Sequence, residues 1–101
     1  MKKIFISHPY SDDPIKRKIQ VTDIVKSLPE HILPISPLHL FGFYDNDNNR
    51  EDILDFCKGL IKLCDECYFY SYGNLSSGQI IEKRFAEYQE KAIKVVRIIE
   101  K

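Results

Sequence analysis

The sequence predicts an α/β protein, a parallel sheet of about four strands with helices on both faces. Short apolar segments rich in β-branched and aromatic residues alternate with longer segments whose apolar residues recur at helical spacing. Helix caps and prolines lie where the pattern changes. This strand–helix alternation is typical of parallel sheets. The 101 residues provide for one domain, residues 1–101, with one core.

The first half of the chain is predicted to contain a strand, a helix and a second strand. Residues 3–7 form a short, β-rich apolar strand. Two aspartates before Pro14 provide an acidic N-cap with proline at the first helical position. The helix is expected to bury Ile15, Ile19, Val21, Ile24, Val25 and Leu28. Residues 31–36 form the second strand, and Pro34 places it at a sheet edge or bends it.

Residues 37–49 are predicted to form a long loop, because they are rich in Pro, Gly, aromatic and Asn/Asp residues. The run from Asp45 to Asn49 begins like a calcium-binding loop. Its sixth position is Arg50 and its twelfth is Phe56, where calcium loops require Gly and Glu. We therefore reject a calcium site here.

Two helices and two strands are predicted in the remainder of the chain. The first helix begins after Asn49 and has the clearest apolar face, formed by Ile53, Phe56, Cys57, Leu60, Ile61 and Cys64. Residues 67–71 form a central strand, apolar on both faces. Ser76 and Gln79 match a capping box that opens the next helix. Its expected core residues are Ile81, Phe85, Tyr88 and Ala92. Residues 93–99 supply the last strand.

Charge and hydropathy exclude several classes of partner. The formal net charge is zero and no long basic run occurs, which argues against a nucleic-acid polymer as ligand. No apolar run approaches the roughly 18 residues of a membrane span, so no membrane partner is expected. The N-terminal apolar run is too short for a signal peptide. The odd number of cysteines, three, then favours a reducing cytoplasm.

The three cysteines are predicted to pack in the core. Cys57 and Cys64 are seven residues apart on one apolar helical face. Cys64 and Cys67 form a C-x-x-C pair, for which redox chemistry or half of a zinc site is the alternative. The chain has no second pair, and its histidines lack the paired spacing of zinc ligands. We therefore predict no metal and no cofactor.

The carboxyl ends of the strands are the expected ligand site of a parallel sheet. This rule selects the segments that follow the first three strands. The candidate ligand-binding residues in them are Ser7, His8, Pro9, Tyr10, Pro37, His39, Asp45, Asp47, Ser77 and Gly78. His8 suits a phosphate or base contact, and Tyr10 suits stacking on a base or bonding a sugar. Packing of both side chains at the strand end is the alternative.

Glu82 is the candidate catalytic residue. Glycine in the preceding Ser77-Gly78 pair permits close backbone approach, and amides at a helix start can hold an anion. Glu82 follows the expected core residue Ile81 and is therefore expected to face the mouth of a pocket. An ionised carboxylate there can attack an anomeric carbon and form a glycosyl intermediate. The alternative is a solvated surface glutamate in a charged helix.

The chain contains K-I-F-I-S-H-P-Y at residues 3–10, P-I-S-P-L-H at 34–39, and C-D-E at 64–66 leading to S-G-Q-I-I-E at 77–82. These three segments resemble the nucleoside 2-deoxyribosyltransferase-like superfamily, in particular a small bacterial and phage branch. Ser-Gly-x-x-x-Glu is the most specific motif. The resemblance implies a three-layer flavodoxin-like or Rossmann-like sheet and a nucleoside or nucleotide ligand. It also implies N-glycosidic cleavage or transfer with Glu82 as nucleophile, and subunits that complete one another's pocket.

Two features of the sequence keep other functions open. Characterised transferases usually place an aspartate shortly before the Ser-Gly motif, whereas residues 73–76 contain no acid. Asp45 or Asp47 would have to supply that carboxylate. In addition, residues 4–8 and 11–13 are similar to the start of bacterial TIR domains, some of which cleave NAD.

The leading hypothesis is thus a nucleoside- or nucleotide-binding protein that is an N-glycosidic hydrolase or a deoxyribosyltransferase. The alternatives are a non-catalytic nucleotide sensor or sequestering module, a TIR-like NAD glycohydrolase, and a structural partner protein. A chain of 101 residues leaves little material to wall a pocket, so the sequence predicts a homo-oligomer.

Overall fold

Four parallel strands form one sheet in the computed structural model, which describes residues 1–10, 12–41 and 50–99. The elements are β1 (Lys2–Ser7), α1 (Pro14–Ser27), β2 (Ile32–Ile35), α2 (Pro37–Phe41), α3 (Arg50–Leu63), β3 (Glu66–Ser71), α4 (Ser77–Tyr88) and β4 (Ala92–Arg97). The strand order is β2-β1-β3-β4, with every neighbouring pair parallel. The predicted fold class is confirmed, as are an edge position for β2 and a central one for β3.

The strand order places a switch point between β1 and β3. The chain passes from β1 to β2 on one side, and then crosses to β3 on the other side of β1. Connections that leave neighbouring strands in opposite directions open a crevice at the carboxyl ends of those strands. Ser7 and Ser71 end the two strands, so the crevice is expected beside them.

The two faces of the sheet carry separate hydrophobic clusters. Ile4 and Ile6 pack against α1 in a cluster with Val21 and Tyr70. Phe5 points to the opposite face. Its cluster includes residues of α3, β3 and α4 and the residue that follows α3: Cys57, Ile61, Cys64, Cys67, Phe69 and Ala86. Side chains alternate along a strand. The same alternation therefore directs Ser7 towards α3 and α4, and the next residue towards α1.

The rotation of α4 differs from the prediction, and polar contacts explain the difference. The predicted capping box is present: Ser76 Oγ accepts from Gln79 N at 3.2 Å, and Gln79 Oε1 accepts from Ser76 N at 3.0 Å. Gln79 Nε2 also donates to Tyr70 O at 2.8 Å. This bond fixes Gln79 against β3, so the buried face of α4 consists of Gln79, Glu82 and Ala86.

Several residues expected in the core are exposed instead. In α4, Ile81 and Tyr88 are exposed, and Ala92 is the first residue of β4. In α1, Ile15 and Ile19 are exposed, because the charged contacts of Arg17 turn that side chain inward. In α3, Phe56 is exposed beside the buried Cys57. Apolar residues lie on more than one side of these helices, so spacing alone could not select the buried side.

The predicted loop 37–49 begins as a helix. Pro37 opens α2, in which the His39 and Leu40 amides donate to Ser36 O. Proline suits this first position because its backbone angle is already helical and it needs no hydrogen-bond acceptor. Residues 42–49 lie outside the described residues. None of the helices in the described segments combines the length and apolar character that crossing a bilayer requires.

Candidate functional site

Glu82 is a buried carboxyl group at the switch point. Only 8% of the residue is exposed, and its Oε1 accepts a hydrogen bond from Ser7 Oγ at 2.8 Å. The alternative of a solvated surface glutamate is therefore wrong, because the contacts of Gln79 turn this side of α4 towards the sheet. That Glu82 faces the mouth of a pocket stays a prediction. The predicted proximity of β1 and the Ser-Gly motif is present, since a residue from each forms this bond.

Burial gives Glu82 an unusual pKa. Removal from water disfavours the charged carboxylate and raises the pKa from 4.5 to about 7. Hydrogen bonds from the Ser7 hydroxyl and the Cys57 thiol act in the opposite direction, because they stabilise the ionised form. The two groups that donate to this carboxylate are therefore a neutral hydroxyl and a neutral thiol, which do not offset the effect of burial as a cation would. A carboxyl group that is about half ionised at neutral pH suits nucleophilic or acid–base chemistry.

The cysteines pack in the core, as predicted. Cys57, Cys64 and Cys67 are all buried and have free thiols. Burial raises the pKa of Cys64 to about 11 and that of Cys67 to about 12, and it raises the pKa of Cys57 as well. The three side chains are therefore neutral thiols at physiological pH, which are poor nucleophiles and poor metal ligands. Among the described residues, no three His, Cys, Asp or Glu side chains form a metal-binding group.

A polar cluster lies on the α1 side of the same crevice. His8 Nε2 lies 2.7 Å from Tyr72 Oη, and His8 Nδ1 lies 2.8 Å from Pro9 O. The Arg17 guanidinium carbon is 4.3 Å from the centroid of the Tyr72 ring. Asp12 binds this guanidinium through both carboxylate oxygens. Residues that follow β1 and β3 are thus joined to the first helix.

His8 is held in its neutral form. Burial lowers the pKa of His8 below its ordinary value of 6.5. A donating Nδ1 bonds Pro9 O, and Nε2 then accepts from the Tyr72 hydroxyl. Because the folded-state pKa is depressed, this contribution to stability is present above about pH 6.5 and is lost as the pH falls through the folded-state pKa.

A cleft of about 250 Å³ opens next to this cluster. It is lined by Pro9, Tyr10, Asp12, Arg17, Tyr72, Gly73, Asn74 and Ser76. Its volume is near the lower end of the range for small-ligand pockets. Gly73 has a φ of +155°, a conformation that strongly favours glycine. Glu82 is not among the described residues that line the cleft. It lies six residues beyond Ser76, about 9 Å along the helix axis.

The structure brings together only part of the predicted ligand set. Pro9 and Tyr10 line the cleft, while Ser7 and His8 lie at the strand end beneath it. Ser77 and Gly78 are the first two residues of α4. An added Cβ on Gly78 would lie 3.9 Å from Leu54 Cδ2, an ordinary contact, so packing does not require glycine there.

The remaining predicted residues lie elsewhere. Pro37 opens α2. His39 joins α2 to α1, since its Nδ1 is 2.8 Å from Ser36 Oγ and its Nε2 is 2.9 Å from Thr22 Oγ1. Asp45 and Asp47 lie outside the described residues.

The sequence reasoning did not identify the cleft residues Asp12, Arg17 and Tyr72 as site residues. A sequence signal for Tyr72 does exist, because this residue directly follows the strand that ends at the switch point and lies on the same side of the strand as Tyr70. Arg17 lies in a helix rich in basic residues, where spacing alone gives it no distinction. Only the tertiary contact with Tyr72 separates it from its neighbours.

No protein-family model matches this chain, and no curated protein matches it in sequence. A solved structure that the chain resembles is a 2-desoxiribosyltransferase from Leishmania mexicana, with a TM-score of 0.65 and 18% sequence identity. The similarity covers 94% of this chain and 63% of the Leishmania chain, so it spans less than two thirds of that protein. At this level of identity the similarity shows that the two chains share a fold.

Removing the Ser7 hydroxyl is expected to raise the Glu82 pKa further. Ser7→Ala deletes a hydrogen-bond donor to the Glu82 carboxylate and leaves the burial of Glu82 unchanged. The ionised form loses this stabilisation, so the protonated form is favoured over a wider pH range. A hydrogen bond to a charged group is worth enough to shift the pKa by about one unit. Carbon-detected NMR titration of the Glu82 carboxyl would measure this shift without any substrate.

Ser71→Ala provides the matched control for that titration. Ser71 is also a buried serine at the end of a central strand, but its hydroxyl donates to Gly73 O at 2.6 Å. We expect this variant to leave the Glu82 pKa in place. Equal shifts in the two variants would show that general loosening, and not the Ser7 bond, controls the ionisation of Glu82.

Proposed function

We propose that this protein binds a nucleoside or nucleotide at the carboxyl ends of β1 and β3 and cleaves or transfers its N-glycosidic bond. Glu82 is the proposed nucleophile. The observation that carries the proposal is a buried carboxyl group at the switch point, with a pKa of about 7 and a hydroxyl bonded to its Oε1. The fold shared with a protein named as a deoxyribosyltransferase supports it.

The proposed reaction uses the ionised form of Glu82. A carboxylate oxygen attacks C1′ of the sugar, and the bond from C1′ to the base nitrogen breaks with its electron pair leaving on the base. The leaving base takes up a proton from solvent. Water or a second base then attacks C1′ and loses a proton to solvent, and Glu82 leaves as a carboxylate, giving hydrolysis or transfer. The Ser7 hydroxyl orients Oε1 and favours the reactive charge state.

One observation favours a second candidate, a binding module without turnover. Glu82 is 8% exposed and is not among the described residues that line the cleft. A ligand that occupies the cleft alone would not reach the carboxylate. This arrangement suits a protein that senses or sequesters a nucleoside or nucleotide.

Incubation of concentrated protein with deoxynucleosides, deoxynucleotides, ribonucleosides and NAD would test the proposal. We expect chromatography to show release of free base from at least one deoxyribose compound, because Glu82 can supply the carboxylate nucleophile. Thermal-shift measurements on the same compounds should show stabilisation by those that bind. Stabilisation without base release would support the binding module. Release from NAD alone would favour the TIR-like alternative, and neither binding nor release would contradict the proposed function.

A further inference from the structure

The guanidinium group of Arg17 is held in the wall of the cleft by several partners. Its Nε and Nη2 donate to the two carboxylate oxygens of Asp12 at 3.1 and 2.8 Å. Its Nη1 donates to Gln20 Oε1 at 3.0 Å, and Tyr72 lies against its face. Arg17 is only 8% exposed. Its positive charge is therefore largely removed from solvent, and its counter-ion is part of the same wall.

Asp12 is the accessible member of this ion pair. Its side chain is 58% exposed, compared with 10% for that of Arg17, and both residues line the cleft. The adjacent guanidinium lowers the pKa of Asp12, so the carboxylate is ionised at neutral pH. Such a carboxylate can accept hydrogen bonds from sugar hydroxyls, but it repels a phosphate group.

We propose that Asp12 is a specificity-determining residue that makes the cleft select an uncharged nucleoside over its 5′-phosphorylated form. The proposal rests on the proposed function, since it assigns the substrate class of that site. A guanidinium binds carboxylate and phosphate with the same two-pronged geometry. Asp12 already occupies that geometry at Arg17, so an incoming phosphate has to displace it or lie beside a like charge.

The other described residues of the lining provide no second cation for a phosphate. They are Pro9, Tyr10, Tyr72, Gly73, Asn74 and Ser76. Asp12 and Arg17 therefore cancel in formal charge, and the described wall of the cleft is neutral. A neutral, partly aromatic wall with one accessible carboxylate matches the base and hydroxyl groups of a nucleoside.

Calorimetric titration of the four 2′-deoxynucleosides and their 5′-monophosphates into the whole chain would test this proposal. The wild-type protein is expected to bind at least one nucleoside about tenfold more tightly than its monophosphate. Asp12→Asn keeps the shape of the side chain but removes the counter-ion of Arg17. This variant should bind the monophosphate about tenfold more tightly than wild type does, and this gain should shrink in high salt.

Asp13→Asn is the matched control. It removes the same charge from the adjacent residue, which is the N-cap of α1 and accepts from Lys16 N at 3.3 Å. Asparagine caps helices as well as aspartate does, so α1 should remain intact. No gain for the monophosphate is expected in this variant. Adding Arg17→Gln to Asp12→Asn should abolish the gain.

Two outcomes would overturn the assignment of Asp12 while leaving the proposed function in place. One is wild-type binding of the monophosphate as tight as that of the nucleoside, which can be measured even where Asp12→Asn does not fold. The other is an equal gain in Asp13→Asn, which would indicate a general effect of net charge. If neither the nucleosides nor the monophosphates bind, both the proposed function and the role of Asp12 are contradicted.

Discussion

Glu82→Gln is expected to abolish base release, with a loss on the order of 10³-fold or more. The amide retains the size of the side chain and an oxygen that can accept the Ser7 hydrogen bond, but it is not a nucleophile. The fold should therefore persist while the reaction stops. Rates of base release at substrate saturation, compared between wild type and variant, would measure the loss.

Glu87→Gln is the matched control for this substitution. Glu87 lies in the same helix but is exposed, and its bond to Lys83 Nζ, at 3.1 Å, is a surface ion pair of small energetic value. Base release by Glu87→Gln should match wild type within experimental error. Retention of full activity in Glu82→Gln would contradict the role of Glu82 as the nucleophile.

Glu82→Gln is also expected to make the folded protein more stable than wild type at alkaline pH. Because the folded-state pKa of Glu82 is raised from 4.5 to about 7, folding favours its protonated form. That contribution is fully present below about pH 4.5 and is lost as the pH rises through about 7. Wild type thus loses about 3 kcal/mol of unfolding free energy over this range, and Glu82→Gln avoids the loss. Urea denaturation at about pH 5 and about pH 8 would measure the free energy of unfolding of wild type and of Glu82→Gln.

Comparison of the two proteins isolates Glu82 from other titrating groups. His8 contributes in the opposite direction, since its depressed pKa favours folding at higher pH, and this effect is common to both proteins. We expect the stability gap to be small at about pH 5 and to approach about 3 kcal/mol at about pH 8. A gap that does not change with pH would show that Glu82 is not buried as a raised-pKa carboxyl group. Glu87→Gln should give no such gap.

Local sequence signals predicted the elements of the fold well where each signal was redundant. The third helix combined a long apolar face with a start after Asn49, and it was found as Arg50–Leu63. The capping box of Ser76 and Gln79 fixed the start of α4. Pro34 correctly indicated an edge strand. The helix at Pro37–Phe41 was missed, because one turn of helix beside Gly- and Asn-rich residues has too little periodicity to recognise.

The candidate site was predicted in part. The rule of carboxyl strand ends located Ser7, Tyr10 and the Ser-Gly motif, because it depends only on the order of strands and helices. The burial of Glu82 was not predicted, because spacing indicated Ile81 as the core residue. The face of α4 that meets the sheet carries two side-chain bonds to the strands, from Gln79 to Tyr70 O and from Ser7 to Glu82. Hydrogen bonds between separate elements do not affect the spacing of apolar residues, so that spacing cannot reveal them.

The alternating pattern of strands and helices, together with its caps and prolines, determined a parallel α/β sheet and the edge of that sheet where polar residues gather. Those signals act over a few residues, so they can be read along the chain. The tertiary structure alone decided that Glu82 would be buried beneath Ser7 and that Asp12 and Arg17 would form a charged pair in a cleft. Burial and charge pairing arise from packing between separate elements, and these two properties determine the chemistry available at the site.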